Sequence, residues 1–110
     1  MTPAQEAAKL KNYVDEFRDH YNARHKVYID GIGYGLLPAY PKLTDTERQT
    51  KELTEEEVRN DVQEFNTQIT NATNGINPTI NLDAAAALAH IIINRISALN
   101  RILTLKNVPE

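Results

Sequence analysis

Residues 82–107 read LDAAAALAHIIINRISALNRILTLKN, and the spacing within this stretch decides the fold. Leu82, Ala85, Ala89, Ile92, Ile96, Leu99 and Leu103 recur at alternating steps of three and four, the seam of a helix that packs along its whole length. At 100° per residue, Leu88, Ile91, Ala98, Ile102 and Leu105 widen the apolar arc to about 220°. Asp83, His90, Asn94, Ser97, Arg101 and Thr104 remain as one coherent polar side. A helix so widely apolar is a central element with neighbours on more than one flank. Asn81, after Asn77-Pro78, is the expected cap, which predicts a helix over about 82–106.

The segment upstream carries a narrower stripe. Val58, Val62, Phe65, Ile69 and Ala72 step by four and three, and Asn74-Gly75 supplies a stop. Thr54-Glu55-Glu56-Glu57 has the form of a capping box, with Leu53 and Val58 at the staple positions and three glutamates suited to the positive end of the helix dipole. Thr44-Asp45-Thr46-Glu47 is a second start signal. The sequence therefore predicts either one helix over about 46–73 or a short segment that breaks near 53.

Thr2 before Pro3 opens a first helix over about 3–26. Its stripe is Ala7, Leu10, Val14, Phe17 and Tyr21, continuing less cleanly through Arg24 to Tyr28. Lys9, Lys11, Asp15, Glu16, Arg18 and Asp19 form the face expected to be solvated. Three helices sharing a period near 3.5 predict an all-α fold, a three-helix antiparallel bundle. Residues 1–110 make one domain, a length sufficient to bury a core.

Composition narrows the function classes. Twelve Lys and Arg against fifteen Asp and Glu give a formal net charge of −3, which offers no general attraction to phosphate backbones or anionic lipid. With no cysteine, neither disulfides nor Cys-ligated metal sites are available. The N-terminus lacks an apolar signal region, and the longest uninterrupted apolar run is residues 84–89, so the expectation is a soluble cytoplasmic protein, neither secreted nor membrane-spanning, or one of host cytoplasm or virion if viral. The sequon at Asn71-Ala72-Thr73 is then accidental.

The connection between the first two helices, about 27–44, exceeds ordinary loop lengths. Within it, residues 29–41 read IDGIGYGLLPAYP. Gly31, Gly33 and Gly35 do not make a phosphate loop: neither register completes G-x-G-x-x-G, Pro38 and Pro41 oppose an emerging helix, and no G-K-[ST] is present. Ile32, Tyr34, Leu36, Leu37 and Tyr40 are more apolar than a solvent-washed loop requires, so this segment is expected either to cap its own bundle or to dock on a neighbour, with Tyr28 beside it.

Catalytic and cofactor chemistry is not indicated. No histidine pair has metal-ligand spacing, so a metal site would have to be assembled from different elements, such as His90 with helix-one carboxylates, and exposed or capping roles are the expectation for the histidines. Ser97, His90 and Asp83 share the polar side of one helix, with no strained turn to expose a nucleophile. The basic run 20–28, HYNARHKVY, suits the last turn of a helix, and a nucleic-acid-associated regulator using residues 18–28 is the alternative reading. Arg95 falls inside the apolar arc and must find a carboxylate on another helix or chain, or extend to water.

These observations predict a non-enzymatic interaction or structural module without catalytic residues, cofactor or metal. Its expected partner is protein, itself as a homo-oligomer or an assembly partner, with candidate interface residues Tyr28, Ile32, Tyr34, Leu36, Leu37, Tyr40 and Arg95. Small size and high Asn and Thr content suggest by analogy a viral or bacteriophage assembly component. A ligand-binding domain roofed by residues 31–40 is the third reading.

Overall fold

The computed structural model describes residues 1–25, 29 and 42–105, which form α1 (Pro3–His25), α2 (Asp45–Thr73) and α3 (Pro78–Leu105). The fold is all-α, three helices around one core.

The start of α1 follows the sequence signal. The Gln5 N–H donates to Thr2 Oγ1 at 3.2 Å, and the Thr2 N–H donates to Gln5 Oε1 at 2.9 Å, a reciprocal cap ahead of Pro3. In α2 the earlier of the two start signals wins. The Glu47 N–H donates to Thr44 Oγ1 at 3.1 Å and the Thr44 N–H to Glu47 Oε1 at 2.9 Å, and the helix then runs unbroken through residue 53. The expected box at Thr54 and Glu57 is therefore not a cap, because in mid-helix those N–H groups already serve preceding carbonyls. Leu53, expected as a staple, is exposed.

Asn74 and Gly75 end α2 as expected. Gly75 takes φ +74°, and the Ile76 and Gly75 N–H groups donate to the carbonyls of Asn71 and Ala72, the paired bonds of a Schellman motif. The chain turns back within four residues, and α3 begins at Pro78 rather than near 82. Proline is at no disadvantage at the first helical position, where the missing N–H has no partner to lose. Asn81 is consequently inside the first turn and not its cap; its amide donates to the carbonyls of Ile76 at 2.6 Å and Asn77 at 3.2 Å, fastening the turn to the helix.

The core joins Ala7, Val14 and Tyr21 of α1, Val58, Val62, Phe65, Ile69 and Ala72 of α2, and Ala85, Ala89, Ile92, Ile96, Leu99 and Leu103 of α3. Leu10, Phe17 and Leu82 pack against it half-buried. Because the turn is short, α3 retraces α2, and Glu57 and Asp61 come beside Arg95. His25 at the end of α1 meets Asn100 near the end of α3.

Two expectations on α1 are corrected. Its inner face does not pass through Arg24, which is exposed, but through Arg18, Asn22 and His25, all buried. Buried to this depth, Arg18 is not part of a solvated face: it is paired with Asp15 on the same helix, and its guanidinium lies 3.5 Å from the Ile29 carbonyl. A long aliphatic stem lets arginine cover apolar surface while its head finds acceptors.

Candidate functional site

Two features of this bundle exceed what a small helical core requires. One is the outward face of α3. Ile80 is 70% exposed, Ile91 42%, Ile102 37% and Leu105 75%, and Ala87 and Ala98 are exposed on the same side. The face exists because α1 and α2 present narrow stripes, which cover the seam of α3 and leave much of its apolar arc bare. One 18-residue window of α3 has a mean hydropathy of 1.4 and is only 28% buried. By length and composition alone it is a helix that could cross a membrane.

Arg95 sits at the margin of this face. Its guanidinium reaches Glu57 at 3.0 Å and also pairs with Asp61, both on α2. The charge inside the apolar arc is thus answered within the chain, and Arg95 braces α2 against α3 through Glu57 and Asp61. Tyr28, Ile32, Tyr34, Leu36, Leu37 and Tyr40, the other candidate interface residues, lie outside the described residues, as does the segment expected to roof a ligand.

The second feature is a polar cluster at the end of the bundle where α1 finishes. The Tyr21 hydroxyl donates to Glu55 Oε2 at 2.9 Å, and Lys51 Nζ donates to Glu55 Oε1 at 3.1 Å, so both carboxylate oxygens are engaged. All three residues are buried. His25, also buried, packs at a tilt of 52° against Tyr21 with ring centroids 4.7 Å apart and places Nε2 at 2.8 Å from Asn100 Oδ1. With that oxygen accepting, the neutral ring carries its proton on Nε2. Burial holds the His25 pKa below its ordinary value, helped by the Arg24 and Lys51 charges and opposed by the Asn100 bond and Glu55. Burial acts on Asp15 in the raising direction, but hydrogen bonds and charge from Lys11 and Arg18 outweigh it and hold the carboxyl below its ordinary range.

Sequence reasoning missed this cluster. Arg18 reads as part of a solvated face, Glu55 as a first-turn glutamate and His25 as an exposed or capping residue, and Lys51 is not singled out. The available signal was spacing: Lys51 and Glu55 continue the stripe of Val58 and Val62 backwards at steps of four and three, and Arg18 and His25 extend that of Val14 and Tyr21. His20 and His90 are exposed, as expected.

In the cluster of Tyr21, His25, Lys51 and Glu55, each carboxylate oxygen is engaged, one by the lysine and one by the phenol, and the imidazole is tied to an amide. Among the described residues no three of His, Asp and Glu converge on a common point. Of the basic residues between 18 and 25, only His20 and Arg24 are exposed.

Compared with known protein families, curated proteins and solved structures, the chain matches none.

Proposed function

We propose that the protein is a non-enzymatic interaction module that works as a subunit of a homo-oligomer. The observation that carries this reading is the uncovered outer face of α3, with Ile80, Ile91, Ile102 and Leu105 open to solvent. Fully burying one such side chain is worth roughly 1.5–3 kcal/mol, so a face with four of them is a strong incentive to associate.

A protein surface suits the face better than a bilayer does. The other side of α3 is shared with two helices of high charge, and Arg95, midway along, is held by Glu57 and Asp61. Placing α3 across a membrane would strip those partners away and bring Asp83, Arg95 and Arg101 into hydrocarbon, each at several kcal/mol or less favourable still. Sedimentation and light scattering are expected to show a defined oligomer that dissociates on dilution. A monomer persisting at high micromolar concentration refutes the reading.

A further inference from the structure

The outer face of α3 has an order along its length that specifies a partner. Positions 84, 91, 98 and 105 fall on an unbroken heptad, interleaved with 80, 87, 94 and 101, so the face is a second seam of coiled-coil period. Its residues, from one end to the other, are Ile, Ala, Ala, Ile, Asn, Ala, Arg and Leu. We infer that this seam pairs with the same seam of a second copy, the two α3 helices running antiparallel about a twofold axis between residues 92 and 93. The inference rests on the homo-oligomer reading and adds its geometry.

Reversing the seam on itself pairs Ile80 with Leu105 of the other copy at each end, Ala87 with Ala98 further in, and Ile91 with Asn94 in the two layers flanking the axis. Alanine layers permit two helices to approach closely, while the large residues at the ends seal them. Ala84 falls opposite Arg101, whose aliphatic stem can lie over the methyl group while its guanidinium reaches the neighbouring Asp83. Asp83 and Arg101 are both exposed. The twofold axis forms that charge pair twice.

Parallel pairing has the opposite consequence. Every seam residue would then face its own copy, placing Arg101 against Arg101, a like-charge juxtaposition that disfavours the arrangement. The antiparallel choice thus follows from charge order, and the second copy follows from the seam being complementary to its own reverse.

The absence of cysteine permits a direct test. The double variant Ala87→Cys/Ala98→Cys is expected to oxidise to a covalent dimer, since its two thiols meet across the axis within disulfide range. Ala87→Cys alone and Ala98→Cys alone are expected to stay uncrosslinked, because eleven residues of helix, about 16 Å, separate each from its own copy. Helicity of the reduced variants by circular dichroism confirms that they fold. As a second arm, Arg101→Asp is expected to weaken association several-fold, and Asp83→Arg in the same chain to restore it. Crosslinking of the single variants, or failure of the double variant to crosslink while wild-type protein is an oligomer, overturns the arrangement and leaves the homo-oligomer reading standing. A wild-type monomer overturns both, and a monomer that co-sediments with neutral phosphatidylcholine vesicles assigns the face to a membrane instead.

Discussion

Val58, Val62 and Phe65 in the middle of the bundle and Tyr21, His25 and Glu55 at its polar end are all 5% exposed or less. Equal burial conceals different physics. The middle is held by apolar area removed from water, which is non-directional and tolerates any set of side chains of the right volume. The polar end is held by matched groups: one phenol and one ammonium on the two oxygens of one carboxylate, and one imidazole on one amide. Such contacts add little net stability when complete and cost a great deal when one member is lost. Their value is positional. A helix slid by one turn could still bury valines, but Tyr21 would then miss Glu55.

The contrast can be broken by deletion and rescue. Phe65→Ala is expected to cost about 3–5 kcal/mol in denaturant unfolding, since it removes area and leaves a cavity that only another large apolar side chain can refill. Glu55→Ala is expected to cost about 3 kcal/mol by removing the buried carboxylate that the Lys51 ammonium and the Tyr21 hydroxyl engage. The two losses should differ in repair. The triple variant Tyr21→Phe/Lys51→Met/Glu55→Leu, which turns the end into more middle, is expected to regain most of the stability lost in Glu55→Ala. If it is no more stable than the single variant, the polar groups are doing something other than satisfying one another.

Acid should separate the two regions without any substitution. The His25 pKa is lowered in the folded state, so the unfolded chain binds the proton more readily. Stability is then complete above the ordinary value of 6.5 and declines as pH falls from there through the folded value. Asp15, also lowered, adds a second decline below its ordinary 3.8. Urea unfolding followed from neutral to mildly acidic pH is expected to show the first decline in the wild type and to lose it in His25→Gln. An unchanged slope in that variant would place the titration elsewhere.

The same contrast explains what was legible in the sequence. Val58, Val62, Phe65, Ile69 and Ala72, and the seven-residue seam of α3, declare their helices by spacing alone, because apolar burial and helical period are the same statement. Only the first position of that seam shifts, Leu82 half-buried and Asn81 buried in its place. Lys51, Glu55, Arg18 and His25 occupy stripe positions too, but a charged residue signals exposure unless its partner is known, and each partner lies on another helix or a turn away. The bare face of α3 was legible as excess apolar arc, since an arc of about 220° exceeds what two narrow stripes can cover. Arg95 was legible as an anomaly only; which carboxylates answer it depended on the register of α2 against α3.

The smallest expected effect tests where the polar end begins. Thr44 and Thr54 each open a T-x-x-E segment, and composition cannot choose between them. Geometry chooses Thr44, whose hydroxyl accepts the Glu47 N–H. Thr44→Ala is therefore expected to lower stability by about 1 kcal/mol, the usual worth of a helix cap. Thr54→Ala lies in mid-helix, where alanine is the better helix former, and is expected to change stability by less than about 0.5 kcal/mol in either direction. Thermal melts of the two variants decide the matter. A larger loss at Thr54 would mean that α2 starts or breaks near 53, and then Lys51 would no longer share a helix with Glu55, so the buried pair that fixes the register of the polar end would lose its one-turn spacing.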